Sequence, residues 1–197
     1  MVVSRNEKKN CKKRGNLELG TTMLSETALK IVNTGTIFSQ KEVNQFYHSA
    51  NYNFNHAPNI VTMPDGKLFV VWFSGQWEGH PSQFILCSSS KDNGISWKPP
   101  EIFQDTSNVS DFDPAFIKSE DRVFFFHSVA QWYKSKSKEE KEGFLGNYIK
   151  YTEDSGKTWI ESKKLSENLA QRMNGIRLSN GDLLLSYYTQ TGCAGVI

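Results

Sequence analysis

The stretch Ser90-Lys91-Asp92-Asn93-Gly94-Ile95-Ser96-Trp97 decides the fold, because Thr152-Glu153-Asp154-Ser155-Gly156-Lys157-Thr158-Trp159 repeats it 62 residues later. Both read Ser/Thr-x-Asp-x-Gly-x-Ser/Thr-Trp. The chemistry within the box explains itself without a ligand. Gly94 and Gly156 supply a positive φ, and the carboxylates of Asp92 and Asp154 accept backbone N–H groups of their own turn. Ser90 and Thr152 lead into the turn. Trp97 and Trp159 begin the next strand, where an indole wedges between neighbouring sheets and its N–H needs one partner. These eight residues are read as structural.

The flanks repeat as well. Ile60–Phe73, with the turn Pro64-Asp65-Gly66, precedes the first box, and Ala115–Phe126, with Ser119-Glu120-Asp121, precedes the second. A third copy, Gly175–Tyr188 around Asn180-Gly181-Asp182, has no box after it. Each is an apolar strand, a turn and a second apolar strand. One unit is therefore strand, turn, strand, longer loop, strand, box, strand. Four antiparallel strands recurring at about 60 residues predict an all-β propeller with blades at 56–104, 112–166 and 173–197. A sandwich would not place the box at the same point of each unit. Lys30–Phe38 is expected to be an outer strand closing another blade. The propeller is assigned to 29–197, and residues 1–28 to a basic, disordered tail.

Composition sets the outer limits. The 197 residues carry 23 Lys and Arg against 21 Asp and Glu, and 13% are aromatic, which is enough bulk for a core. Arg5, Lys8, Lys9, Lys12, Lys13 and Arg14 concentrate the positive charge at the start. A short basic tail is most simply solvated, so neither nucleic acid nor membrane is expected as a partner. The start lacks the apolar stretch of a signal peptide, and a cytoplasmic location is expected. Cys11, Cys87 and Cys193 are too scattered for a disulfide framework. No metal-ligand spacing occurs, so neither a metal nor another cofactor is expected.

Strand parity sorts the loops onto two faces. The first turns and the boxes fall on one, the box face. The blade starts and the loops between second and third strands fall on the other, the mouth face. The mouth face receives His56, then Gln76, Trp77, Glu78 and His80, then Asp111 and Asp113. It also receives His127, Gln131, Trp132 and Tyr133, then Arg172, Asn174, Tyr188 and Gln190. Carboxylate, imidazole, guanidinium and aromatic groups gathered on one face suit a carbohydrate site. Glu78 and Asp113 are the candidate catalytic carboxyls. His56, Trp77, His80, Asp111, Trp132, Tyr133, Arg172 and Asn174 are the candidate substrate contacts. His127 follows a run of phenylalanines and is read as structural.

With these residues in view, the sequence resembles the sialidase (neuraminidase) superfamily of BNR/Asp-box propellers. It is most similar to predicted bacterial sialidases, through His56-Ala57-Pro58-Asn59-Ile60-Val61-Thr62-Met63-Pro64-Asp65-Gly66-Lys67-Leu68, then Val71-Trp72-Phe73-Ser74-Gly75 and Glu78-Gly79. The resemblance implies a six-bladed ring, of which this chain would supply about three blades. The sequence is accordingly read as a fragment, with pairing of two arcs or a degraded remnant as the alternatives. The resemblance also implies an arginine triad for the sugar carboxylate, a tyrosine nucleophile assisted by a glutamate, and an aspartate acid/base. The first arginine of the family lies in Arg-Ile-Pro, where this chain has His56-Ala57-Pro58. Glu78 is the carboxylate nearest the expected acid/base loop. The remaining arginines, the tyrosine and its glutamate are expected in further blades.

Three functions are open to this sequence. The first is a sialidase-like exo-glycoside hydrolase acting on an acidic sugar. The second is a uronate polysaccharide lyase, for which His56, His80, Tyr133 and Arg172 suit proton abstraction beside a neutralised carboxylate. The third is a noncatalytic glycan-binding propeller. The expected partner is a carbohydrate or glycoconjugate in each case, with self-association if the arc is genuinely three blades.

Overall fold

A computed structural model describes residues 34–38, 54–131, 143–167, 169–189 and 192–194. The tail at 1–28 lies outside the described residues, as do Trp132, Tyr133 and Gln190. Two four-stranded antiparallel sheets dominate. The first runs β1 (Phe54–Thr62), β2 (Leu68–Gly75), β3 (Phe84–Ser90) and β4 (Glu101–Gln104), with spatial order following chain order. The second repeats it with β5 (Ser110–Ser119), β6 (Arg122–Gln131), β7 (Gly143–Thr152) and β8 (Lys163–Ser166). A third unit contains β9 (Ile176–Arg177) paired with β10 (Leu183–Leu184), and β11 (Tyr187–Thr189) paired with β12 (Gly192–Ala194).

The third unit departs from the expected continuous second strand. Pairing changes partner at Leu185: Leu183 and Leu184 pair with β9, whereas Tyr188 exchanges backbone hydrogen bonds of 3.1 and 2.7 Å with Ala170. The expected strand at Lys30–Phe38 lies in part outside the described residues, and its described part, residues 34–38, is not strand. Ile37 and Phe38 instead pack as side chains on the face of the first blade formed by Val70, Trp72, Phe84 and Leu86.

Period-2 alternation sends each strand's side chains to two interfaces. Phe69, Val71 and Phe73 of β2 meet Phe112 and Phe116 of β5 and Val123 and Phe125 of β6, forming the core between the first two blades. Ala115, Ile117 and Phe126 point the other way and meet Leu185 and Tyr187 of the third. Trp159 of the second box stands between the first two blades, with ring centroids 5.9 Å from Phe69 and 5.0 Å from Phe103. Trp97 packs on the opposite side of the first blade, and its indole N–H donates to the Gly94 carbonyl at 3.2 Å.

Both boxes fold alike. The Ser90 hydroxyl donates to Asp92 Oδ1 (2.7 Å) and accepts from the Gly94 N–H (2.9 Å), as Thr152 does with Asp154 (2.8 Å) and Gly156 (2.9 Å). Each carboxylate also accepts the backbone and hydroxyl protons of Ser96 or Thr158. The hydrogen bonds from Ser96 hold Asp92 down at about 2, and Thr158 depresses Asp154 further. A carboxyl with a lowered folded-state pKa stabilises above its unfolded value and loses that contribution as pH falls. The melting temperature is therefore expected to fall as pH drops from about 4 towards about 2. Asp92→Asn should lower it at neutral pH and flatten this dependence, as thermal melts across that range would show.

The box face predicted from parity is present in the contacts. The Asp65 N–H of the first turn donates to Ser155 Oγ in the second box at 3.1 Å, and Lys67 Nζ donates to the Ser155 carbonyl at 2.7 Å.

Candidate functional site

At the mouth face, β1 and β5 carry the same irregularity. Pairing with the second strand slips between His56 and Asn59 in the first blade and between Phe112 and Ala115 in the second. Pro58 and Pro114, which have no N–H to give the ladder, sit inside these bulges, and the residues before them, Ala57 and Asp113, have φ of 51° and 47°. A bulge re-aims its side chain, and in the second blade the side chain so aimed is a carboxylate.

Asp113 is held from several sides. Gln171, fully buried, donates its side-chain N–H to the Asp113 carbonyl at 2.6 Å, which fixes the unusual backbone. Buried Asn147 and Ser128 donate to the Gln171 amide oxygen. The Tyr188 hydroxyl donates to Asp113 Oδ2 at 2.6 Å, and Arg172 Nε lies 3.8 Å from the same oxygen. The Arg172 guanidinium carbon stands 5.0 Å from the centre of the Tyr188 ring. Burial pushes the Asp113 carboxyl up, opposed by Tyr188 and Arg172 and reinforced by the charge of Glu78. Burial and the Asp113 hydrogen bond push the Tyr188 phenol up to about 12. The Arg172 side chain remains 72% exposed although Tyr188 and Asp113 hold it. Glu78 belongs to the same electrostatic neighbourhood, acting on both Asp113 and Arg172.

Trp77 and His80 come together in the loop after β2, with ring centroids 4.2 Å apart and planes perpendicular. His56 is exposed, and its ring lies 3.9 Å from that of Phe54. Asn174 is committed to the scaffold: its Oδ1 accepts the Phe116 N–H and its Nδ2 donates to the Ile60 carbonyl, both at 2.8 Å. It thus ties the third blade start to the inner strands of the other two, as Asn59 does by donating to the Pro114 carbonyl at 2.6 Å.

Asp111 belongs to the interior rather than to a sugar-contacting surface. It is fully buried, its Oδ2 accepts the Thr106 N–H at 2.6 Å, and its Oδ1 takes the Thr106 hydroxyl at 3.0 Å and His127 Nδ1 at 2.9 Å. His127 Nε2 is 2.9 Å from Ser162 Oγ. Burial lowers the His127 pKa and keeps the ring neutral, so this chain of polar groups cross-links β5, β6 and the approach to β8. Two members of the site are absent from the candidates drawn from sequence, Tyr188 as a reactive group and Gln171 as a support. Tyr188 has a signal, since parity puts it on the mouth face. Gln171 has none beyond its place next to Arg172.

The model of the BNR repeat-like domain matches residues 66–195. No curated protein matches the chain by sequence. Among solved structures, a protein of unknown function from Dyadobacter fermentans aligns with a TM-score of 0.56 at 18% identity, over 74% of this chain and 50% of its own. Trypanosoma rangeli sialidase in complex with sialic acid aligns at 0.54 and 14% identity, over 72% and 26%. The NanB sialidase of Streptococcus pneumoniae aligns at 0.56 and 11%, over 80% and 46%. The chain thus spans between about a quarter and a half of these neighbours, and at such identities the likeness is one of fold: a partial sialidase-like β-propeller.

Proposed function

Because the chain belongs to the BNR repeat-like domain family, we propose that its mouth face hydrolyses a glycoside of an acidic sugar, sialic acid or a close relative. The observation that carries this reading is the Tyr188–Asp113 hydrogen bond beside an exposed arginine. A phenol needs a base to become a nucleophile, and a carboxylate within hydrogen-bond reach meets that need. In this reading Tyr188 Oη attacks the anomeric carbon while its proton passes to Asp113. The bond to the leaving oxygen breaks, and Glu78 supplies the proton that oxygen takes up. Glu78 then accepts a proton from the water that cleaves the tyrosyl intermediate, and Asp113 returns its proton to Tyr188. Arg172 pairs with the carboxylate of the sugar, the recognition for which guanidinium geometry is suited.

The nucleophile pair proposed here is supplied by the second and third blades, whereas the resemblance implied a tyrosine and glutamate in further blades. Support comes from the burial that makes Asp113 a stronger base and from Gln171, which holds it in place. The test is release of free saturated sugar from sialyllactose by the whole protein, with Arg172→Lys raising KM about tenfold or more through loss of the planar fork. An unsaturated uronate product from a polyuronate would instead favour the lyase. Sugar binding without turnover would favour a noncatalytic lectin, a reading to which His56 in the place of the family's first arginine lends weight.

A further inference from the structure

We propose that Ser162, His127 and Asp111 form a second catalytic site, apart from the Tyr188–Asp113 pair, that hydrolyses small carboxylic esters through a serine nucleophile. The three are joined by a continuous chain of hydrogen bonds. Asp111 Oδ1 lies 2.9 Å from His127 Nδ1, and His127 Nε2 lies 2.9 Å from Ser162 Oγ. Acyl transfer to serine needs a nucleophile, a base and a group that orients the base, each within hydrogen-bond reach of the next, whatever the fold.

The surroundings fix the direction of each bond. Asp111, fully buried, accepts the Thr106 N–H on Oδ2 at 2.6 Å and the Thr106 hydroxyl on Oδ1 at 3.0 Å. Gln104 Nε2 donates to the oxygen of that hydroxyl at 3.1 Å, which turns its proton to Asp111. Both oxygens of Asp111 are therefore acceptors, His127 carries its proton on Nδ1, and the Nε2 lone pair faces the Ser162 hydroxyl. Burial outweighs the pull of Asp111 and leaves the ring neutral, the form a base needs. His127 is 1% exposed and Ser162 only half-buried, so the nucleophile is the member that solvent reaches.

A cation stands beside it. β8 pairs Lys164 with Tyr148 and Lys163 with Ile149, so the next step of the ladder sets Ser162 opposite Lys150. Lys150 commits two of its three N–H groups to the Phe103 carbonyl and Gln104 Oε1, at 2.9 and 3.2 Å, which leaves a third for the oxyanion of a tetrahedral intermediate. Ser162 Oγ bonds to the ester carbonyl carbon as its proton passes to His127 Nε2. The intermediate collapses, the ester C–O bond breaks, and the leaving oxygen takes that proton. Water, deprotonated by His127 in turn, releases the acyl group as a carboxylic acid, and the proton returns to Ser162. A half-buried hydroxyl admits a short acyl chain rather than a long one.

The whole protein is expected to release a burst of about one equivalent of p-nitrophenol from p-nitrophenyl acetate. A fluorophosphonate should lose fluoride and add to Ser162, as peptide mapping would show. Both reactions should vanish in Ser162→Ala, and also in urea, because an isolated serine hydroxyl is a weak nucleophile. The test therefore does not depend on how a buried variant folds. His127→Gln should slow labelling by about 10²–10⁴-fold. Nitrogen NMR of the ring should find the His127 proton on Nδ1, and Asp111→Asn should move it to Nε2. Absence of burst and adduct, an adduct on another residue, labelling of His127→Gln at the unsubstituted rate, or a proton on Nε2 in the unsubstituted protein overturns the proposal. None of these readouts involves a sugar, so they are independent of the reading of the mouth face.

Discussion

Asp113→Asn is expected to reduce kcat on an acidic-sugar glycoside by roughly 10²–10⁴-fold, the usual contribution of a positioned proton-transfer group. The variant keeps the volume of the side chain and an oxygen able to accept from Tyr188, so it removes basicity and little else. The pH profile makes the result diagnostic. Asp113 must be ionised to take the tyrosine proton, so the rate is present above its folded-state pKa and falls as pH drops through it. Burial raises that pKa, which puts the acid limb at a higher pH than an ordinary carboxylate would give. In Asp113→Asn the residual rate should lose that limb. An acid limb left in place would remove Asp113 from the proposed role.

The second large effect concerns stability. Phe125→Ala is expected to destabilise the fold by about 3–5 kcal/mol, the range for deleting a fully buried phenylalanine. Phe125 is 0% exposed at the interface of the first two blades. Its ring centroid lies 4.8 Å from Phe103 and 5.5 Å from Phe116, with His127 stacked on it at 5.5 Å. Lys150, 8% exposed, sits 3.8 Å above the centre of the Phe103 ring and donates to the Phe103 carbonyl at 2.9 Å. Deleting Phe125 opens this polar layer as well as the aromatic one. Ile95→Ala, at a side chain 75% exposed in the first box turn, should by contrast stay within about 0.5 kcal/mol. Denaturant midpoints at constant m-value would compare the two.

The blades were legible in the sequence because their signals are local. The apolar runs Leu68–Phe73 and Val123–Phe126, the turn at Pro64-Asp65-Gly66 and the repeated box each specify structure within a few residues, and all agree. The break in the third unit was not legible, since it depends on Tyr188 pairing with Ala170, outside the hairpin. Parity put Asp111, Asp113, Arg172 and Tyr188 on the mouth face but could not say which way each side chain turns. Asp113 sits inside the bulge and reaches Tyr188, 75 residues later. Asp111, just ahead of the bulge, turns inward to His127. A shift of register by one residue changes the direction of a strand side chain, and bulges introduce that shift without a strong local signature. Gln171 was invisible for a related reason: its role is to satisfy a carbonyl that only the bulge exposes.

The central claim is that Tyr188, poised by Asp113, attacks the anomeric carbon of an acidic sugar. Mass spectrometry of the whole protein after reaction with a 2,3-difluoro derivative of sialic acid tests it most directly. The account predicts a mass increase of one sugar, mapped by peptide sequencing to Tyr188 and lost in Tyr188→Phe. An adduct on another residue, or an unchanged mass at saturating reagent, would contradict it.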